Sequence, residues 1–307
     1  MHRIATGISA ADACGHGHHH GHQGHALSSH GIDRAMAIGV LLNVGFVIVE
    51  AVFGVISGSL ALIADAGHNA SDVVGLLLAW GADYLARRPP TRKYTWGLRR
   101  STIYAAFLNA VLLLVACGGI LWEAWHRFTQ PQPVAGPTMI IVALVGVVIN
   151  TLTALLFVRG HHDANIRGAF LHMAADAAIS LGVVVAGIAI LFTGLVWIDP
   201  VVSIVITLVI VVGTWGLFTE SVDLALDAVP RGIDIDAVQA ALIDLPGVTE
   251  VHDLHVWGTS TSETSLTAHL VVSDDADQRL VLAAAERLLH ETFRIVHTTV
   301  QIEDRGE

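Results

Sequence analysis

Cysteine and charged residues are both scarce in this 307-residue chain. It has only two cysteines, Cys14 and Cys117, in unrelated contexts, and only 14% of its residues are charged. The first scarcity excludes a disulfide framework and a cysteine-based zinc site. The second lies far below the average of about 25% charged residues in soluble globular proteins. With 53% hydrophobic residues and a mean hydropathy of +0.63, the composition indicates a membrane protein.

Two common sequence signals are also missing. The chain has no GxxxxGK[ST] run, so we expect no ATP-binding loop and an ion gradient as the energy source. We expect no cleavable signal peptide, because the first apolar run begins only at Ala35. The net charge of −11 is unevenly spread, and residues 228–307 carry 14 acidic and 5 basic residues, a net charge of −9. This tail is therefore predicted to be a soluble acidic module that does not bind nucleic acid.

Six segments have the length needed to cross ~30 Å of hydrocarbon at ~1.5 Å per residue. We place them near 34–57, 60–86, 102–127, 137–159, 166–192 and 199–220. The predicted fold class is an α-helical membrane protein with a disordered cytoplasmic tail over residues 1–33 and a six-helix transmembrane bundle over residues 34–220. A linker over residues 221–227 leads to a cytoplasmic domain over residues 228–307.

Two short stretches each place a histidine and an aspartate four residues apart inside a predicted span. They are His68-Asn69-Ala70-Ser71-Asp72 and His172-Met173-Ala174-Ala175-Asp176. On a helix this spacing puts both side chains on one face. One aspartate at mid-membrane costs ~2.5–3.5 kcal/mol on insertion scales. The two imidazoles and two carboxylates make a full tetrahedral shell for a zinc-like cation, and a satisfied polar pair between helices is the alternative.

This donor set favours zinc, and to a lesser degree cobalt, nickel or cadmium, over the hard cations that all-oxygen sites bind. Two ionised aspartates balance a divalent cation, whereas an empty site leaves two buried carboxylates that repel each other and favour proton uptake. Because imidazole must be neutral to bind metal, protons and metal compete for the same atoms. The sequence therefore predicts proton-coupled antiport of a divalent metal. A passive metal channel and a membrane-tethered metal sensor or store are the alternatives.

Two further acidic residues lie near the predicted site. Asp65 precedes His68 by three positions, and either guides ions to the site or makes a structural or gating contact. Glu50 in the first span is either a proton-accessible partner or a residue at a helix end. His126 and Arg127, at a predicted membrane boundary, are interpreted as interfacial anchors.

Basic residues in the connections indicate the orientation of the chain. The loop after the second span and its flanks hold six of them, and the loop after the fourth span is flanked by Arg159 and Arg167. The loops after the first and fifth spans hold none. Because cytoplasmic loops are enriched in Lys and Arg, both termini are predicted to be cytoplasmic.

Within the first 33 residues, positions 16–25 hold six histidines interleaved with glycine, a composition that cannot form a packed core. We interpret this segment as a flexible tail that captures metal. The alternative is an incidental low-complexity extension or a tag remnant. The histidines are His16, His18, His19, His20, His22 and His25.

The C-terminal tail shows a different pattern. Helices are predicted over 234–245 and 276–292, and strands over 248–257, 265–272 and 297–303. The order α-β-β-α-β predicts a small ferredoxin-like domain with its helices on one face of the sheet.

Several of these features together resemble the cation diffusion facilitators. They are the six spans, the paired His/Asp motifs, Ser59-Leu60-Ala61-Leu62 before Asp65-Ala66-Gly67-His68, and Val251-His252-Asp253-Leu254-His255-Val256-Trp257 in the tail. The resemblance covers residues 32–304 and is greatest to the zinc-transporting branch. It implies a homodimer, in a bacterial inner membrane, that exchanges cytoplasmic zinc for protons by alternating access.

The resemblance also implies which residues bind zinc. It assigns the transport ligands to His68, Asp72, His172 and Asp176. In the cytoplasmic domain, His269, His297 and Glu303 match positions that bind zinc in some members, and His252 matches a position that does so in others.

Overall fold

The computed structural model describes residues 29–157 and 164–304, so the six histidines of the N-terminal tail lie outside the described residues. Six long helices come first, each with bounds within five residues of the predicted segment. They are α1 Ser29–Ser57, α2 Leu60–Ala86, α3 Ser101–Thr129, α4 Gly136–Phe157, α5 Ala164–Thr193 and α6 Ile198–Ala225.

Four of the described helical stretches are long and apolar enough to cross a membrane. They are Ser101–Thr129, Gly136–Leu155, Phe170–Thr193 and Ile198–Ala225. Helix α1 adds a shorter apolar stretch, Asn43–Ser57. Helix α2 is not among them because buried and half-buried polar residues such as Asp65, Asn69 and Asp72 interrupt its apolar sequence. Composition therefore supports four of the six predicted spans.

The helices pack in pairs, with α4 along α5 and α3 along α6, while α2 contacts α3, α5 and α6. The buried core of this bundle includes Leu62, Cys117, Met139 and Val183. Glycine permits the close approach of α4 and α5, since a Cβ added at Gly187 would lie 2.8 Å from Cγ1 of Ile140. The outer faces carry exposed apolar side chains, as expected for helices that meet lipid.

A buried polar network fixes the first turn of α2. Asp199, at the start of α6, is fully buried. Its carboxylate accepts hydrogen bonds from Ser59 Oγ at 2.7 Å, from the backbone N–H of Leu60 at 2.7 Å and from that of Ala61 at 3.2 Å. These groups belong to the helix N-terminus, where backbone donors lack intrahelical partners and negative charge is favourable. Arg127 of α3 pairs with the same carboxylate at 3.3 Å, so three helices meet here.

Arg127 was predicted to be an interfacial anchor, and the structure gives it a different environment. Its side chain is only 11% exposed. Besides Asp199, it donates to the backbone carbonyl of Gly58 and pairs with Glu123 at 3.0 Å. These acceptors offset the cost of burying the guanidinium group in an apolar region.

The C-terminal domain has the predicted order of elements. Helix α7 (Ile235–Ile243), strand β1 (Val248–Gly258), strand β2 (Thr264–Val272), helix α8 (Gln278–Glu291) and strand β3 (His297–Asp304) follow one another. The sheet order is β1-β2-β3, with β1 antiparallel and β3 parallel to β2. Apolar side chains of the sheet pack against Leu242 of α7 and Leu289 of α8 to form a separate core. The prediction of an αββαβ domain is confirmed.

The predicted linker over 221–227 is mostly helical, because α6 continues to Ala225. Leu224 is buried, and its Cδ2 would lie 2.8 Å from a Cβ added at Gly258 of β1. This packing against the C-terminal domain gives the last turn of α6 a buried face, so the helix does not end at the predicted boundary.

Candidate metal centre

The two His/Asp pairs of α2 and α5 come together, and each histidine pairs with the aspartate of the other helix. Nε2 of His68 lies 3.3 Å from Oδ1 of Asp176, and Nε2 of His172 lies 3.1 Å from Oδ2 of Asp72. The two imidazole rings are 5.9 Å apart between centroids and nearly perpendicular. The one-turn spacing within each helix places both residues of a pair on the face that meets the other helix.

Asp176 is the centre of this arrangement. Its side chain is 1% exposed, and its second oxygen lies 3.8 Å from Nε2 of His172. Neither of its oxygens makes a hydrogen bond with a described residue. A buried carboxylate that lacks donors is costly, and a cation between the two helices would remove that cost.

The geometry is close to that of a four-ligand site. One ligand atom from each of Asp72, His172 and Asp176 lies within 4.8 Å of the others, the separation that a single ion can span. His68 joins them through Asp176. Two nitrogens and two oxygens are typical ligands of a four-coordinate zinc site.

A second group of possible metal ligands lies across the three strands of the C-terminal domain. His252 of β1 and His269 of β2 are register partners, with ring centroids 5.3 Å apart. Glu303 of β3 contacts both, through Oε2 to Nε2 of His252 at 3.2 Å and through Oε1 to Nδ1 of His269 at 2.7 Å. These ligand atoms also lie within 4.8 Å of one another. We call this group the sheet cluster.

His297 does not belong to the sheet cluster, although the resemblance grouped it there. It pairs with Ser265 at the start of β3, six residues from Glu303, and a strand rises ~3.3 Å per residue. Its Nε2 lies 2.9 Å from a guanidinium nitrogen of Arg99 in the connection between α2 and α3. Trp96 contacts its ring edge-on at a centroid distance of 5.2 Å. The distance along β3 therefore separates His297 from the other ligands.

Three further residues lie near these groups, and the first of them, Ser180, was not singled out from the sequence. Ser180 lies one turn after Asp176 and donates a hydrogen bond to Oδ2 of Asp65 at 2.8 Å. Only the four-residue spacing from Asp176 could have singled it out. Glu50 is fully buried and lies seven residues before the end of α1, so it is not a helix-end residue. His255 pairs with Asp253 at 3.0 Å on an exposed part of β1.

Two family models match the chain and together cover nearly all of it. The cation efflux transmembrane domain matches residues 36–224, which include α2 to α5, most of α1 and α6, and both His/Asp pairs. The cytoplasmic domain of cation efflux proteins matches residues 230–305, which include the whole sheet cluster.

Curated bacterial relatives match over almost their whole length. The metal cation efflux system protein CzcD of Cupriavidus metallidurans is 37% identical over 292 residues, which cover 94% of this chain and 90% of the relative. The zinc transporter ZitB of Escherichia coli is 36% identical over 289 residues, covering 93% and 92%. The cadmium, cobalt and zinc/H(+)-K(+) antiporter of Bacillus subtilis is 32% identical, covering 91% and 92%.

Proposed function

This chain belongs to the cation efflux family, and we propose from this premise that it exports zinc from the cytoplasm in exchange for protons. The observation that carries the proposal is the convergence of His68, Asp72, His172 and Asp176 from α2 and α5. Nothing else in the described bundle offers two imidazoles and two carboxylates at one depth. The relatives named for zinc, cadmium and cobalt efflux support the same cargo.

The donor set explains how such a site can bind zinc and also release it. Two carboxylates neutralise a divalent cation, so the loaded site carries little net charge into the apolar bundle. Two imidazoles favour zinc over hard cations such as magnesium. Without thiolate, the ligands hold the ion less tightly, and cadmium, cobalt or nickel are expected as weaker cargoes.

Protons are the natural counter-ion because they compete with zinc for the same ligand atoms. Imidazole binds metal only when it is neutral, and each carboxylate can take a proton when the metal leaves. Protonation on one side of the membrane therefore favours release of zinc there. The return of the empty site is also favoured, because protons remove the repulsion between Asp72 and Asp176.

Six membrane spans with both termini in the cytoplasm are part of this proposal, as is a bacterial inner-membrane location. The orientation rests on the six basic residues after α2, because Lys and Arg mark cytoplasmic loops. It places the turn between α1 and α2 on the outer side. We expect a homodimer, with the acidic C-terminal domain in the cytoplasm and the sheet cluster as a site that responds to cytoplasmic zinc.

The test is zinc flux in sealed vesicles that contain the purified protein with its cytoplasmic side outward. An acidic lumen should drive zinc inward against its own gradient, as read from a zinc-sensitive dye. Asp176→Asn should abolish this uptake, whereas Glu220→Gln, at an exposed residue of α6, should not. Flux that is indifferent to the pH gradient and never accumulates zinc would identify a passive channel. Zinc binding without any flux would identify a sensor or store.

A further inference from the structure

Two carboxyl groups lie buried together beside the metal site, and the mechanism above does not use them. Glu50 of α1 and Asp65 of α2 are both fully buried. Their carboxyl groups are within hydrogen-bonding reach of each other. Among the described residues, neither forms an ion pair with lysine or arginine. We call these two residues the carboxyl pair.

In each carboxyl group of the pair, one oxygen accepts a hydrogen bond and the other has no donor among the described residues. The Asn69 amide donates to Oε2 of Glu50 at 3.4 Å, and the Ser180 hydroxyl donates to Oδ2 of Asp65 at 2.8 Å. The other oxygen of each group, Oε1 of Glu50 and Oδ1 of Asp65, is buried and has no partner among the described residues. Two carboxyl groups can hydrogen-bond to each other only if one hydrogen lies between them, because an ionised carboxylate is an acceptor only.

The negative charges of the two carboxyl groups also require one proton to be bound between them. Two adjacent buried carboxylates cannot both be ionised without a cation, because each is desolvated and each repels the other. One shared proton allows the two groups to hydrogen-bond to each other and leaves the pair with a single negative charge. We propose that Glu50 and Asp65 form a proton-binding site, separate from the zinc ligands, that carries a counter-transported proton. The inference rests on the proposed exchange of zinc for protons.

The position of the carboxyl pair suits this role. Asp65 lies about 4.5 Å along the axis of α2 from His68, nearer the turn between α1 and α2. Ser180 is correspondingly one turn beyond Asp176 on α5. The carboxyl pair thus lies between the zinc ligands and the end of the bundle that we assign to the outer side, from which protons would enter.

The charged groups around the carboxyl pair link its proton to the zinc site. Asp176 of α5 is close enough to act on both carboxyl groups, and His68 of α2 acts on Asp65. Zinc bound to Asp176 and His68 would add positive charge beside the carboxyl pair and so favour loss of its proton. Since linkage is reciprocal, a proton on the pair must weaken zinc binding by the same factor.

The test compares the wild-type protein with Glu50→Gln and Asp65→Asn in vesicles, using Glu220→Gln as the control. A zinc gradient is imposed, and proton movement and zinc movement are followed with separate dyes. We expect either variant to reduce the protons moved per zinc by at least twofold, while downhill zinc flux stays within about threefold of wild type. The control should match wild type in both measurements.

Unchanged protons per zinc in a folded variant would overturn the proposal. The proposal would also be overturned if zinc transport depends on K⁺ in the wild-type protein and a variant loses that dependence with unchanged proton movement. The oxygens of the carboxyl pair would then bind a metal cation. Absence of zinc flux in the wild-type protein would instead refute the proposed function.

A second measurement needs no variant and so covers the case in which neither variant folds. Infrared difference spectra of the wild-type protein should show the carbonyl band of a protonated, buried carboxylic acid, and zinc should remove it. If no such band changes when zinc is added, the proposal is wrong.

Discussion

Replacing Asp199 by alanine should destabilise the protein more than replacing any exposed aspartate by alanine. The change removes three hydrogen bonds to the first turn of α2 and the 3.3 Å pairing with Arg127. Removing one partner of a buried ion pair typically costs about 3–5 kcal/mol, because the other charge is left uncompensated. Arg127 keeps Glu123 and the Gly58 carbonyl, so we expect a value near the lower limit, about 3 kcal/mol.

The conservative replacement separates charge from hydrogen bonding. Asp199→Asn retains one acceptor oxygen, which at the Oδ1 position can still accept from Ser59 and Ala61. It loses the second acceptor, used by Leu60, and the negative charge near Arg127 and the helix N-terminus. We expect a loss of roughly 1.5–3 kcal/mol, as for hydrogen bonds that involve a charged group. Arg127→Met should also be destabilising, and the double variant should lose less than the sum of the two single losses, because the residues are in contact.

The assay is reversible unfolding of the purified protein in detergent, followed by tryptophan fluorescence. Asp83→Ala is the matched control, since Asp83 is an exposed residue of α2, the helix whose first turn Asp199 holds, and among the described residues it pairs only with Arg87 at the surface. Such pairs contribute at most about 0.5 kcal/mol. If Asp199→Ala is no more destabilising than Asp83→Ala, the network does not hold the start of α2 and the reasoning fails.

Three further predictions concern the metal sites. Asp72→Ala should abolish zinc flux in vesicles while the protein stays folded by size-exclusion chromatography, since one carboxylate cannot neutralise the cation; near-normal flux would contradict the ligand assignment. His68→Asp should raise cadmium or manganese transport relative to zinc, because the shell becomes harder, and an unchanged metal profile with retained activity would place His68 outside the shell. His269→Ala should remove one zinc per chain in calorimetry and shift transport affinity by a coupling of ~1–3 kcal/mol. Unaltered zinc stoichiometry would exclude the sheet cluster as a binding site.

The sequence predicted the parts of this molecule that depend on local spacing. The four-residue interval between His68 and Asp72 requires only a helix to place both on one face. The αββαβ order likewise follows from local patterns of apolar and turn residues. Both rest on short-range geometry, which needs no knowledge of how elements pack.

Contacts between residues that are far apart in the chain could not be predicted from the sequence. The crossed pairing of His68 with Asp176 depends on how α2 lies against α5. The role of Asp199 depends on the position of α6 beside residues 140 positions earlier, and nothing near Asp199 in the chain indicates it. The resemblance matched His297 to a position that binds zinc in some members, but six residues of strand separate it from Glu303. In each case the missing information was tertiary.

The crossed pairing has a consequence for how the chain is assembled. A newly inserted helix sits in lipid before its neighbours arrive. At that stage the four-residue spacing lets His68 contact Asp72, and His172 contact Asp176, on the same helix. Each helix thus carries its own temporary partner for an aspartate that would otherwise be expensive in hydrocarbon. When α2 and α5 dock, both histidines change partners, and the 3.8 Å approach that remains between His172 and Asp176 fits such an exchange. We therefore expect docking of these two helices to be a late, all-or-none step in biogenesis, in which two pairs break as two others form.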